Sequence, residues 1–357
     1  MKVVTILGAR PQFVKAATVS RQFQKMGIDE ILVHTGQHFD ANMSQVFFDE
    51  MEIPAPHYNL EISGLNHGAM TGRMLEKIET VLLSEKPDYV LVYGDTNSTL
   101  AGALAASKLH IPIAHVEAGL RSFEMKMPEE INRILTDRIS RILFCPTQTA
   151  INNLQKEGFD NFDCQIEMPG DVMYDAVLYY QSKAERVATI LDKAKLASGN
   201  FVLCTIHRAE NTNDPNRLKA ICAALNEIHK STPVILPLHP RTKGYLQSLH
   251  IQLNVNIVEP LGYFDMLMLL KHCSLVMTDS GGLQKEAFFF KKYCITLRDQ
   301  TEWVELIEVA ANQLVGADQE MILNAYHQMN GKAFTISQNL YGLGNAAELI
   351  AGKLKNS

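Results

Sequence analysis

Short apolar runs recur along this chain, each followed by a helix-length segment, and this rhythm restricts the possible fold more than any other feature. The runs Val3–Leu7, Tyr89–Val92 and Leu275–Met277 are apolar at consecutive rather than alternate positions. Successive strand residues point to opposite faces, so a strand with one wet face alternates. A strand apolar throughout is covered on both faces, as in a parallel sheet between helical layers. The pattern predicts strands at 2–7, 30–34, 88–93, 111–116 and 142–145, then at 201–206, 233–238, 255–258, 274–278 and 293–297. Helices are expected over segments such as 11–26, 67–85, 97–109, 128–140, 214–230 and 282–291. Thr96-Asn97-Ser98-Thr99 offers several capping oxygens to the third of these. A β-α-β-α succession of this kind makes a doubly wound α/β fold.

The rhythm breaks once, over 171–199, a polar helical stretch before a fresh strand at Phe201. A domain junction is therefore expected near 165–172, with Pro169-Gly170 as its turn. Residues 1–170 and 171–342 then form two Rossmann-like halves facing a central cleft, and a short helix at 343–354 packs back on the first. A length of 357 residues suits two domains. With 46% hydrophobic residues the chain is too apolar for disorder. Its balance of 33 − 39 = −6 offers no counterion-release attraction, so nucleic acid is not an expected partner. No run is long and apolar enough for a membrane span, and the N-terminus reads as a strand rather than a leader. No membrane partner and a cytoplasmic location are expected. The six cysteines form no C-x-x-C pair, and four of them sit in or beside apolar runs, where a thiol behaves as a small core residue. Neither a disulfide scaffold nor a metal finger is implied.

In an open parallel sheet, ligands bind beyond the carboxyl ends of the strands. Those positions here carry an ionisable residue in both halves, joined by glycine in five of the eight. They are Gly8-Ala9-Arg10-Pro11 with Lys15 a turn later, Thr35-Gly36-Gln37-His38, Gly94-Asp95-Thr96 and Glu117-Ala118-Gly119-Leu120-Arg121. The second half has His207-Arg208-Ala209-Glu210-Asn211, His239-Pro240-Arg241, Asp279-Ser280-Gly281-Gly282 and Arg298-Asp299. In Ser280-Gly281-Gly282 the glycines admit close approach, and the N–H groups opening the next helix can meet an anion. Glu286, a turn further, could accept both hydroxyls of a ribose; the alternative is a plain tight turn capped by Glu286. Arg10 and Lys15 stand at a helix start, the unfavourable end for cations, which suits an anionic ligand or simply a solvated pair.

Asp95, Glu117 and Glu129 are the carboxylates best placed for chemistry, the first two after strands of one sheet. Clustered carboxylates shift one another and can supply an acid and a base. Glu129, behind Pro128, could equally serve only the helix dipole, and Asp95 could merely cap a helix. His207 with Arg208 suits a phosphate or leaving-group clamp, though a histidine at a strand end is more often structural, and His239 and His38 carry the same alternative. No histidine or acid cluster has metal-ligand spacing, so no metal is implied. Gly342-Leu343-Gly344-Asn345-Ala346-Ala347 fits a dinucleotide fingerprint, but without a preceding strand it reads as a helix-start turn. There is no P-loop and no nucleophile elbow.

With these residues in view, the chain resembles the non-hydrolysing UDP-N-acetylglucosamine 2-epimerase family. The resemblance is carried by Gly8-Ala9-Arg10-Pro11-Gln12, Thr35-Gly36-Gln37-His38, Gly94-Asp95-Thr96 and His115-Val116-Glu117-Ala118-Gly119-Leu120-Arg121, then by Pro128-Glu129-Glu130-Ile131-Asn132-Arg133. It continues through His207–Asn211, Thr278–Glu286 and Arg298-Asp299, in family order. It implies a GT-B-like fold, a UDP-sugar substrate, a homodimer, no cofactor, and inversion at C2 through elimination of UDP to a glucal and re-addition. It further implies Asp95, Glu117 and Glu129 as acid/base groups and His207 as the group assisting the diphosphate. Arg10, Lys15, Ser280, Gly281, Gly282 and Glu286 resemble UDP contacts, with Arg121, Arg208, His239 and Arg298 as further binding candidates.

Two departures stand out. Where plain UDP-N-acetylglucosamine enzymes commonly read T-E-R-P-E, this chain has Thr301-Glu302-Trp303-Val304-Glu305. Together with Tyr93-Gly94-Asp95-Thr96-Asn97-Ser98-Thr99 and Phe288-Phe289-Phe290, this looks more like the branch acting on UDP-2,3-diacetamido-2,3-dideoxyglucuronate. Phe39-Asp40-Ala41 stands where relatives carry R-x-M, in a region that binds an activating second substrate in plain-substrate enzymes. The competing expectations are a glycosyltransferase on the same scaffold and a nucleotide-sugar sensor. Three acids at first-half strand ends argue against the transferase, since an inverting transferase needs about one base.

Overall fold

The structure, a computed structural model, describes residues 1–37 and 55–357, apart from the side chain of Arg10. Two wholly parallel sheets organise the chain. The first contains β1 (Lys2–Leu7), β2 (Asp29–His34), β3 (Tyr58–Asn59), β4 (Tyr89–Tyr93), β5 (Ile113–Val116), β6 (Ile142–Phe144) and β7 (Gln165–Glu167), in the order β3-β2-β1-β4-β5-β6-β7. The second contains β8 (Val202–Thr205), β9 (Val234–Pro237), β10 (Asn256–Val258), β11 (Leu275–Thr278), β12 (Cys294–Thr296) and β13 (Asn312–Leu314), ordered β10-β9-β8-β11-β12-β13.

The consecutive apolar runs are buried, along β1 and β4 from their second residues on and along the whole of β11. In each sheet the order reverses beside the opening strand, between β1 and β4 and between β8 and β11. At such a switch point the flanking connections leave toward opposite faces and open a crevice beyond the carboxyl ends. The fold therefore marks two places, one per sheet, before any side chain is considered.

The chain divides into two compact units, Met1–Leu178 with Asn339–Ser357, and Tyr179–Gln338. The division falls later than the junction expected near 165–172, because the helix Val172–Val187 runs through it without a break. Its first turns remain with the first unit: Val172, Met173, Ala176 and Val177 are buried, and Asp175 accepts the N–H groups of Ala346 (3.2 Å) and Ala347 (2.8 Å). Those N–H groups open the closing helix Ala346–Lys355, which packs against the helix Arg10–Met26. Within the second unit, Tyr180 packs edge-on to Tyr263 at 6.1 Å. All six cysteines are free, and all but Cys164 are buried.

Candidate active site

In the first unit the switch point is organised from a glutamine. Gln12, one turn into the helix Arg10–Met26, accepts the N–H groups of Gly8 (2.8 Å) and Ala9 (3.0 Å). Its amide nitrogen donates to the Tyr93 carbonyl at 2.7 Å and reaches the hydroxyls of Thr96 and Thr99. A single side chain thus joins the loops after β1 and β4. Gln12 belongs to the Gly8–Gln12 motif, but nothing in its spacing announces this role.

Asp95 and Glu117 follow neighbouring strands, paired in the register Tyr93↔Val116. Gly94 bridges them: its N–H donates to the Val116 carbonyl at 3.0 Å, and its φ of 62° lies in the left-handed region. A Cβ at Gly94 would lie 3.3 Å from Glu117 Oε2 and 3.6 Å from Lys15 Nζ, so glycine suits the spot on both counts. Glu117 itself has a φ of 74°, a strained conformation for a residue with a side chain, of the kind that gathers at functional sites. Its carboxylate is ion-paired with the Lys15 ammonium, both side chains nearly buried.

Asp95 is half-buried and receives Arg133 through both Nε (3.0 Å) and Nη2 (2.7 Å) on Oδ2. Arg133 also pairs with Glu130, which accepts the N–H groups of Ser122 (2.9 Å) and Phe123 (2.8 Å). Asn132 donates to the Asp95 carbonyl at 2.9 Å, so the helix Pro128–Ile139 stands against the Asp95 turn. Glu129 is exposed in the first turn of that helix, beside the buried Glu130. Asp95 and Glu117 thus each contact a cation, a more ordered arrangement than the crowding of like charges expected from the sequence. Arg133, Glu130 and Gln12 are the residues that sequence reasoning missed; the i,i+3 spacing of Glu130 and Arg133 was the one available signal.

Arg121 does not reach this crevice as a free cation. It is 2% exposed and bonds Asp137 through Nη1 (2.7 Å) and Glu157 through Nε and Nη2 (2.7 Å each). Arg10 opens its helix, but its side chain lies outside the described residues, as do His38 and the Phe39-Asp40-Ala41 departure.

In the second unit the corresponding organiser is Asp279, wholly buried at the end of β11. Its carboxylate accepts the N–H groups of His207 (3.1 Å) and Arg208 (3.0 Å) and the amide of Asn211 (3.1 Å). Asp279 Oδ1 also lies 3.3 Å from Nδ1 of His207, whose side chain is 51% exposed. The carboxylate thus stands within ion-pair reach of the half-exposed ring, while its hydrogen bonds go to the backbone N–H groups of the loop. The motif ends after β8 and β11 are thereby tied together, with the histidine ring facing outward.

Ser280 precedes the helix Gly281–Phe289. A Cβ on Gly281 would come within 2.3 Å of Glu302 Oε1, whereas one on the exposed Gly282 would meet nothing within 4 Å. Glu302 is held by Arg298, which is 1% exposed and donates to Oε2 at 2.8 Å. Arg298, like Arg121, is therefore engaged inside its unit. Glu286 is buried near Tyr263, whose phenol is pushed well above its ordinary value by burial first and by the Glu286 charge second. His239 is exposed at the end of β9, where Nδ1 accepts the Arg241 N–H at 3.2 Å and caps the helix Pro240–Ser248. Among the described residues, no three histidines, cysteines or acids gather as a metal-holding group, and no helix is long and apolar enough to cross a membrane.

A family model described as UDP-N-acetylglucosamine 2-epimerase matches residues 21–355. The UDP-2,3-diacetamido-2,3-dideoxy-D-glucuronate 2-epimerase of Pseudomonas aeruginosa is 57% identical over 353 residues, 98% of each chain. The crystal structure of the Methanocaldococcus jannaschii UDP-GlcNAc 2-epimerase in complex with UDP-GlcNAc and UDP matches at a TM-score of 0.92 and 44% identity, covering 100% of both chains. The Neisseria meningitidis UDP-GlcNAc 2-epimerase bound to UDP-GlcNAc matches at 0.89 and 31%, again over 100% of both. The two parallel-sheet units are those of a GT-B-like fold. Matched from end to end in sequence and in fold, this chain belongs to the UDP-N-acetylglucosamine 2-epimerase family of isomerases.

Proposed function

We propose that this chain inverts C2 of a UDP-linked N-acetylated sugar by eliminating UDP and adding it back. C2–H has no neighbouring carbonyl to acidify it, so C1–O cleavage leads and builds positive charge on the ring. A carboxylate takes the C2 proton, the C–H pair becomes the C1=C2 bond of a 2-acetamidoglucal, and UDP departs with the C1–O pair. Re-addition with a proton delivered to the opposite face completes the inversion. Asp95, Glu117 and Glu129 are the acid/base candidates, and His207, beside Asp279, assists the diphosphate. The Ser280-Gly281-Gly282 helix start receives the phosphates with Arg208, and Glu286 the ribose; Arg10 is a UDP contact by the family resemblance alone. Lys15 is assigned to Glu117, while Arg121 and Arg298 hold their loops from within.

The observation that carries this reading is the pair of oriented carboxylates, Asp95 on Arg133 and Glu117 on Lys15, on adjacent strand ends. An inversion in which the intermediate keeps its place needs proton-transfer groups on both faces of one carbon, and two separately held carboxylates can supply them. In D2O the product should carry deuterium at C2, and Glu117→Gln should suppress that label together with turnover. Product formed without solvent label would exclude the mechanism.

For the substrate, the reading is UDP-2,3-diacetamido-2,3-dideoxyglucuronate rather than plain UDP-N-acetylglucosamine. The 57% identity to the Pseudomonas enzyme, against 45% to the Methanocaldococcus one, supports it. So does Trp303 in place of the T-E-R-P-E arginine: it is buried, with the Lys285 ammonium 4.0 Å from its ring centroid. Comparing kcat/KM for the two sugars decides the matter, and a preference for the plain sugar overturns it. The product would feed surface-polysaccharide synthesis from a cytoplasmic homodimer.

A further inference from the structure

We propose that His115 is a positioning residue that holds the two acid-bearing strand ends, Gly94-Asp95 and Glu117, in fixed relation, with hydrogens on both of its ring nitrogens. The activity arm of the proposal rests on the epimerase reading; the state of the ring does not.

His115 is the third residue of β5, fully buried, and it touches neither Asp95 nor Glu117 in any bond described above. Its Nδ1 lies 2.7 Å from Asp137 Oδ1, and its Nε2 lies 2.8 Å from the Gly94 carbonyl oxygen. The carbonyl can only accept. A neutral imidazole has one N–H, so a ring donating to Asp137 alone would turn a lone pair onto the Gly94 oxygen. Moving a proton to Asp137 instead conflicts with its other contacts, since Oδ2 already accepts Arg121 Nη1 (2.7 Å) and the Gly119 N–H (3.1 Å). Burial would push that carboxyl up, but the hydrogen bonds and charges of His115 and Arg121 outweigh it and hold it below its ordinary value. The arrangement that satisfies every partner is a carboxylate facing a ring that donates twice.

The charges then balance. His115 and Arg121 face Asp137 and Glu157, two cations against two carboxylates, which is the condition under which buried charge is tolerated. Among the described residues the Cys145 and Cys164 thiols also feel Asp137, and burial pushes both above their ordinary value. The Lys15–Glu117 pair lies beside Gly94.

The result is mechanical. Gly94 is held at both ends by β5, its N–H on the Val116 carbonyl and its carbonyl on the His115 ring. Asp95 follows Gly94 directly, and Glu117 lies two residues beyond His115. The ring therefore sets the spacing of the two carboxylates, and chemistry tolerates little error in such spacing.

The direct test is nitrogen-edited NMR of the intact enzyme labelled at histidine. Two N–H correlations from one ring are expected near neutral pH, both absent from His115→Gln. A single correlation, or none assignable to that ring, overturns the double donation. The second arm is kinetic. In His115→Gln, kcat should fall by about 10- to 100-fold while KM and UDP affinity stay within about threefold. Loss of UDP binding and of folded protein in step with activity would mark His115 as merely structural and overturn the positioning role. If the parent enzyme turned over neither sugar, the function reading would fail while the NMR result still decided the ring.

Discussion

At the scale of single residues, the strand-end motifs were legible and the groups that aim them were not. An ionisable residue just after an apolar run, with or without a glycine, is a local signal, and it marked Asp95, Glu117, His207 and the Ser280 turn without a structure. Gln12, Arg133, Asp137 and Asp279 act at long range in sequence, as Gln12 does on Tyr93 and Asp279 on His207. No window of neighbouring residues contains both partners. The two glycines of the phosphate turn illustrate the same difference. They look equivalent in the sequence, yet only Gly281 faces the Glu302 carboxylate that Arg298 holds. Gly281→Ala should lower the melting temperature and weaken UDP binding by more than about tenfold, since the Glu302 carboxylate held by the buried Arg298 must shift to admit the methyl group. Gly282→Ala should leave the melting temperature nearly unchanged. Thermal melts and UDP titration of the two variants check this, and equal effects would show that Glu302 does not set the position of Gly281.

Among elements, the ten expected strands all have counterparts, while β3, β7 and β13 were not anticipated. All three lie at sheet edges, are two or three residues long, and are only partly buried, so they lack the unbroken apolar run that marks an inner strand. The closing helix was anticipated, but its anchor was not. Asp175 meets the first N–H groups of that helix with only 9% of its surface exposed. Burial raises its carboxyl from 3.8 to about 6, more than the two N–H bonds lower it. A carboxyl raised in the folded state binds its proton more tightly there than in the unfolded chain. Its contribution to stability is complete below the unfolded value and is lost as pH rises through about 6. Asp175→Asn removes that dependence. The variant's melting temperature should therefore gain on the parent's as pH is raised from about 4 to about 7. A constant difference across that range would show that Asp175 does not titrate differently on folding.

For the whole molecule, the two-unit division was foreseen as a break in rhythm, but its position was not. The interruption at 171–199 tells where strands stop; it does not tell which unit keeps a helix that continues across the boundary. Quaternary structure is likewise a question of faces rather than of patterns. The helix Pro128–Ile139 exposes Ile131 (40%) and Leu135 (44%), one turn apart, with Phe123 (70%) and Met125 (59%) in the preceding loop. Exposed apolar side chains one turn apart on a helix can form an association surface, and this is where the proposed homodimer is expected to meet. Light scattering should give twice the 39.9 kDa chain mass, and Ile131→Glu with Leu135→Lys should halve it. A variant that remains dimeric would move the interface elsewhere.

The sequence by itself determined the parallel α/β architecture, the strand ends that carry chemistry, and the family, because hydrophobic periodicity and turn composition act over a few residues and need no knowledge of what lies opposite. Only the tertiary structure decided which candidates face a ligand crevice and which are locked inside. Arg121 and Arg298 read in the sequence as cations free to bind, and the fold turns them inward onto Asp137, Glu157 and Glu302. A buried charge must be paired, and its partner is chosen by distance in space, which a linear pattern does not encode.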